Sequence, residues 1–403
     1  MTTATIAPHE RARPEWLRRH PRAWVAAVGT VCAGAFMGQL DASIVALTYR
    51  PIGAEFGAGL PTVQWITLSY LIALGGLLIP LGRLADRLGR KRMYLWGFAG
   101  FTVASAGCAL APGLPALVGA RAVQGVGAAM LQANSVAIVA TAAPRSRLRL
   151  ALGVQAAAQA LGLALGPTIG GLLVQVLGWR WVFAVNVPVG VLALLAGRYL
   201  IPRTRLVAER HAAARTVRPL LRGLAGALLA YLLLFGPIVL VPAVASGSAL
   251  VAGLTAAALP LGFAAGATLG GMLLPAGWAP ARRSLAGLLL AGLGLAALAG
   301  TLPHLSLVAV ALAVAGLGLG IFTPANNAQV MTAAPAGAAA LAGGLISTAR
   351  AAGTALGTVA VTSLLGVDGG GRVAAAVLAA AVVLAAATVG APRAPGSGRV
   401  SGA

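Results

Sequence analysis

The feature that most constrains this chain is a recurring run of about 20 apolar residues, the length a helix needs to cross roughly 30 Å of hydrocarbon. A membrane β-barrel would instead show alternating segments of about ten residues. Hydrocarbon offers no water to the backbone, so each run must satisfy its own N–H and C=O groups, which predicts helices. Composition points the same way: 59% of the 403 residues are hydrophobic and 9% are charged, against about 25% charged in a soluble domain. The 55 Gly and 23 Pro follow no Gly-X-Y period, which excludes a collagen-like chain. The sequence reads as an all-α membrane protein.

Runs bounded by charge, Gly or Pro lie near 24–48, 63–82, 93–111, 114–140, 150–176 and 181–201, and again near 222–245, 250–274, 284–301, 305–331, 340–366 and 372–390. About 12 transmembrane helices are therefore expected, in two six-helix bundles at 24–201 and 222–390. A basic segment, 1–23, precedes them, an Arg-rich linker, 202–221, joins them, and 391–403, rich in Gly, Pro, Ser and Ala, is expected to be disordered. The first apolar run is too long for the core of a cleaved leader, so it is read as a membrane helix.

The formal net charge of +22 would suggest nucleic acid in a soluble protein, and position decides against it. Arg11–Arg22, Arg83–Arg92, Arg145–Arg149, Arg198–Arg222 and Arg282–Arg283 cluster at one set of span ends, and only Arg50, Arg180 and Arg372 lie at the other. This is the positive-inside pattern of an inner or plasma membrane protein with both termini in the cytoplasm. Trp24, Trp65, Trp96, Trp179, Trp181 and Trp278 sit near span ends, as interfacial belts require, and no further role is assigned to them. Cys32 and Cys108 fall within spans and read as small packing residues.

Reaction chemistry is scarce. There is no Walker A sequence, zinc spacing or Ser-His-Asp set. Gly316, Gly318 and Gly320 lie inside an apolar span with no strand before them, so they read as packing positions rather than a dinucleotide loop. An enzyme is not expected, nor a cofactor or metal. The interior charges carry the interest, because burying an ionisable group in a bilayer is costly. Of the acids only Asp41 lies within a span, seven residues before its assigned outer end at 48, and Arg121 lies seven residues after the outer start of the fourth span at 114. Both therefore sit roughly 10 Å inside the same boundary and can meet. Burial favours a protonated carboxyl and a nearby guanidinium favours the carboxylate, so such a pair can load and release a proton; a permanent structural salt bridge is the competing reading. Gln124, three residues from Arg121, shares its helix face. Arg350, about ten residues into the eleventh span, has three possible partners: backbone carbonyls, Asp41, or a negative group on a substrate.

The turn Gly82-Arg83-Leu84-Ala85-Asp86-Arg87-Leu88-Gly89-Arg90-Lys91-Arg92 resembles the signature loop of the major facilitator superfamily. Leu40-Asp41-Ala42-Ser43-Ile44-Val45, Arg121-x-x-Gln124-Gly125-x-Gly127, Gly162-x-x-x-Gly166-Pro167-x-x-Gly170-Gly171 and Trp179-Arg180-Trp181-Val182-Phe183 are similar to stretches of its drug:proton antiporters, specifically the fourteen-helix branch. The resemblance implies a major facilitator fold, here reduced to twelve helices. It also implies a cytoplasmic gate at the signature loop, where Asp86 hydrogen-bonds neighbouring Arg. The Gly166-Pro167 kink implies export, and Gly162, Gly170 and Gly171 are expected to pack against the other half. The counterpart loop, 275–283, has no acid, so its gate is expected to be weaker.

Gln39, Tyr70, Gln132, Asn134, Gln155, Gln159, Tyr231, Asn326 and Arg350 are candidates for a pocket lining, although most polar side chains in spans simply bond between helices. The expected function is proton-coupled efflux of amphipathic drugs or small metabolites by alternating access, driven by the proton gradient without a cofactor. The partners are a small-molecule substrate and the lipid bilayer, with no nucleic acid, and a monomer is expected. A proton-coupled nutrient importer is the near alternative. A transport-inactive sensor or scaffold is the more distant one, since Asp41 alone would carry the coupling.

Overall fold

A computed structural model describes residues 5–6, 14–15, 20, 22–203, 205–206, 217–245, 248–275, 277–302, 304–333, 339–366 and 369–389. Twelve long helices are present among them: α1 Ala23–Ile44, α2 Trp65–Leu88, α3 Arg90–Ala109, α4 Leu114–Ala142, α5 Leu148–Val176, α6 Asn186–Leu200, α7 Val217–Val244, α8 Ala249–Leu273, α9 Pro280–Thr301, α10 Leu305–Ala333, α11 Ala339–Leu364 and α12 Gly370–Thr388. Ten helical rods among the described residues are long and apolar enough to cross a membrane. The two outside that set are α3, which opens on Arg90, Lys91 and Arg92, and α11, rich in Ala, Gly and Thr. The fold is that of an all-α membrane protein.

Several predicted ends move, because polar residues do not stop a helix that still has backbone partners. The first span was expected to end at 48. Instead a 3-10 turn, Val45–Thr48, passes the chain straight into Tyr49–Phe56. Pro51 is tolerated there because it occupies the first turn, where its missing N–H has no helical acceptor. The rod ends at Gly57, whose φ of +62° closes the turn. The signature segment is likewise two helix ends rather than a loop. Arg83, Asp86 and Arg87 finish α2, Arg90 begins α3, and the break is confined to Gly89 at φ +100°. Within the expected linker, α7 already begins at Val217, and Arg205–Leu206 pairs antiparallel with Thr5–Ile6 as two-residue strands. The rest of that linker between 207 and 216, most of the basic segment before 22, and the tail 391–403 lie outside the described residues.

In the first half α1 packs on α5, α2 on α4, and α3 on α4; in the second, α8 and α9 both pack on α10, and α7 on α11. Two seams join the halves, α2 against α11 and α5 against α8. One apolar core fills the first bundle around Met37, Tyr94, Phe98 and Phe101. Another runs without interruption from Ile44, Tyr49 and Trp179 of the first half to Leu233, Ile238 and Leu240 of the second. Its part shared between the halves lies at the end away from the arginine clusters, and from there it continues through the second bundle to Leu288 and Phe322.

Candidate functional site

Five helical segments converge on Asp41. It is fully buried on α1, and Arg121, equally buried on α4, donates from Nη1 to its Oδ2 at 2.6 Å. Asp41 Oδ1 accepts from Gln124 Nε2 at 3.1 Å and from Asn186 Nδ2, at the start of α6, at 3.2 Å. Gln124 also donates to Ser105 Oγ on α3 at 2.8 Å and accepts from Arg121 on Oε1. Arg121 Nε donates to the Ile66 carbonyl of α2 at 3.0 Å. Its guanidinium lies over the Tyr70 ring at 4.3 Å, with the Phe183 ring at 5.6 Å. An ion pair removed from water is tolerated only when the remaining donors and acceptors find partners, and here three neutral groups, Gln124, Asn186 and the Ile66 carbonyl, bond the pair directly. The two residues meet although the first helix ends eight residues later than expected, since helix length beyond Asp41 does not alter its facing.

Sequence reasoning named Asp41, Arg121 and Gln124 but missed Ser105 and Asn186 as members of the centre. The available signal was position: Ser105 is a polar residue in mid-span, and Asn186 opens α6 three residues after the Trp179–Phe183 stretch. Tyr70, assigned to the pocket, instead presents its ring to the Arg121 guanidinium while also lining a small cavity of about 30 Å³ with Gln39, Gln132 and Gln159. Gln155 does not line that cavity; its Nε2 donates to Ser135 Oγ at 2.9 Å and ties α5 to α4. Asn134 donates to the Met130 carbonyl of its own helix. In the second half, Asn326 Nδ2 donates to the Gly223 carbonyl at 2.8 Å, a staple between α10 and α7. Arg350 is half-buried with its guanidinium 5.1 Å from the Tyr231 ring, and its Nε has no hydrogen-bond partner.

The helix 5 glycines need a correction. Gly162, Gly166 and Gly170 recur every fourth residue on α5, and a Cβ on them would overlap Phe36 O, Ser43 Oγ and Ile44 Cγ1, all on α1 of the same half. Among the residues of this motif, Gly171 and Pro167 are the ones that reach the other half. Gly171 lies against the Ala249 carbonyl, and the Pro167 carbonyl lies against Gly253 on α8. The spacing of glycines reports a close approach but not which helix approaches.

At the arginine-rich end, Asp86 pairs with Arg90 at 2.7 Å across the Gly89 break, partly exposed on both sides. Gly82 faces Ala133 of α4, and Arg92 lies over Trp96 at 4.3 Å. Arg87 is exposed on the last turn of α2. Lys91, expected in the gate cluster, points inward instead. It is 1% exposed and donates to the Ile201 and Arg198 carbonyls at 2.7 and 3.0 Å, closing the C-terminal end of α6. It is the only lysine in the sequence. A compact ammonium suits converging carbonyls better than a planar guanidinium.

At the opposite end the halves are latched. Arg50 donates to the Ala243 and Ala245 carbonyls at the end of α7, and Thr362 of α11 donates to Gln64 ahead of α2. Trp179, expected to be a belt residue, is buried and donates from Nε1 to Glu55 at 2.7 Å, while Arg180 grips the same carboxylate at 2.7 and 3.0 Å.

The family model described as Major Facilitator Superfamily matches residues 31–358. The tetracenomycin C resistance and export protein of Streptomyces glaucescens is 41% identical over 180 residues, 45% of this chain and 33% of its own length. The multidrug resistance protein Stp of Mycobacterium tuberculosis is 41% identical over 162 residues, 40% of this chain and 30% of its own. The riboflavin transporter RibZ of Clostridioides difficile is 32% identical over 180 residues, 45% and 39% of the two chains. The matched stretch thus spans about a third of each curated relative. A bacterial homolog of the human lysosomal transporter Spinster, solved in an inward-facing, unoccupied conformation, superposes with a TM-score of 0.71 at 17% identity, covering 92% of this chain and 97% of that one.

Proposed function

The chain belongs to the major facilitator superfamily, and from that premise we propose that it is a proton-coupled exporter of amphipathic organic molecules, working by alternating access of two helical halves. The observation that carries this reading is the fully buried Asp41–Arg121 pair with Gln124 and Asn186 on the same carboxylate. Arg121 is the counter-charge of the Asp41 carboxylate while the two are together. A proton arriving at Asp41 would release Arg121 to its other partners, the Ile66 carbonyl and the Tyr70 ring, so the site can exchange a charge for a movement of α4 against α1.

The arginine-rich end faces the cytoplasm in this reading, as the positive-inside rule requires. The latches at Arg50 and Gln64 then close the outer mouth. The relatives named as resistance and export proteins favour outward transport. A relative named as a riboflavin transporter keeps uptake of a nutrient as the second reading.

Inside-out vesicles carrying the protein test both. With an acid interior imposed, a cationic or neutral amphipathic dye should accumulate, and Asp41→Asn should abolish accumulation while the protein elutes as a folded species from detergent. Dye accumulation undiminished in Asp41→Asn would overturn the coupling assignment. Gradient-driven loss of the dye from the vesicles would favour uptake.

A further inference from the structure

A groove of about 300 Å³ opens between α8 and α10 at the arginine-rich end of the second half, far from Asp41 in sequence and belonging to the other bundle. Its floor is made of small residues, Gly266, Gly270, Ala325 and Ala328, and Trp278 and Arg283 stand at its rim. Helical phase shows which way it opens. On α10, Gly318 and Phe322 face α9, Gly316 and Gly320 face α8, and Asn326 and Val330 face α7. Ile321, Ala325 and Ala328 occupy the remaining sector at 100° per residue. Leu307 and Val310, 50% and 62% exposed, lie on the same side of that helix. On α8, Leu254, Leu261 and Leu269 are likewise exposed. Large apolar side chains exposed in mid-span are surfaces presented to hydrocarbon, so the groove opens to lipid rather than to the space between the halves.

We infer that this groove holds an anionic phospholipid of the arginine-rich leaflet, with an acyl chain along the small-residue floor and the phosphate at Arg283. Charge supports this occupant. The segment 275–283 carries Arg282 and Arg283 and no acid, and basic pockets between membrane helices select anionic headgroups. Depth supports it as well, because a half-buried Trp278 beside the guanidinium marks the interface where headgroup and chain meet. Arg283 donates from Nη2 to the Pro275 carbonyl at 3.2 Å, which holds the positive guanidinium at the mouth of the groove. The missing acid that weakens this loop as a gate is thus what suits it to a negative headgroup.

The test uses the full chain in bilayers and reads Trp278 by the difference between wild-type fluorescence and that of Trp278→Phe. Phosphatidylglycerol brominated on its acyl chains should quench this difference signal at about fivefold lower mole fraction than brominated phosphatidylcholine. Arg283→Gln should bring the two lipids to equal effect, and Arg283→Lys should keep most of the preference. Equal quenching by both lipids in the wild type would overturn the inference. So would a preference that survives Arg283→Gln, or loss of quenching on adding a transported dye, which would make the groove part of the transport path.

Discussion

The two halves are built from helices of similar length but are held together by different forces. In the first, α1, α2, α3, α4 and α6 all contribute atoms to one buried polar centre around Asp41. In the second, the polar contacts are pairwise, Asn326 to the Gly223 carbonyl and Gln329 to Ser284, and the helices approach closely at glycines, as α1 and α5 also do in the first. A Cβ on Gly316 or Gly320 would overlap the Leu259 or Phe263 carbonyl, and Gly287 and Gly318 lie against each other's helices. The half-buried cation there, Arg350, rests on an aromatic ring instead of a carboxylate. A polar centre can exist in two states of charge and bonding, whereas glycine seams have one tight state. Under the proposed function, the comparison puts the switch in the first half and the support in the second.

The sharpest way to break this assignment is to remove one partner of each cation. Arg121→Leu leaves Asp41 buried without a counter-charge and should cost ~3–5 kcal/mol, seen as a loss of folded yield and a large drop in Tm in detergent. Arg350→Leu should cost less than ~1 kcal/mol, because it removes only a cation–π contact. Similar losses in the two variants would refute the contrast. Next in size, Gly316→Ala should destabilise by ~1–3 kcal/mol through overpacking. Gly29→Ala, where a Cβ meets nothing within 4 Å, should be neutral or slightly stabilising. Thermal unfolding of the pair decides it, and equal Tm values would mean that the second half repacks freely.

Smaller effects concern the cycle. Asp86→Asn weakens a partly exposed pair with Arg90, so its effect on stability should be under ~1 kcal/mol. Turnover should nevertheless fall several-fold with substrate binding retained; lost binding with normal turnover would contradict a gating role. Arg350→Ala should reduce transport selectively, by about tenfold or less, for substrates bearing a negative group. An equal reduction for neutral, cationic and anionic dyes would place Arg350 in the structural framework.

The helix count was legible in the apolar runs themselves, and the Asp41–Arg121 meeting for a separate reason. A charge in hydrocarbon needs a partner at its own depth, and few candidates exist. Helix ends were less legible, since the first rod passes through Thr48 and Arg50 without a break and α2 runs on through Arg83 and Arg87. Neighbour identity was not legible either. The Gly162, Gly166 and Gly170 stripe signalled close contact, yet its partner is α1 and not the other half, because periodicity describes one surface and not the surface that meets it. Trp179 shows the same limit: a tryptophan near a span end reads as interfacial, and only the fold reveals Glu55 within reach of its N–H.

Lys91 gives the molecule a property of practical use. The chain has a single ε-amine, and the fold keeps it out of contact with solvent between α3 and the last carbonyls of α6. Acylating or cross-linking reagents specific for side-chain amines therefore have one target, whose reactivity rises only when that junction opens. The rate of modification at residue 91 becomes a clock for local opening at the arginine-rich face, readable by peptide mass spectrometry without installing any probe.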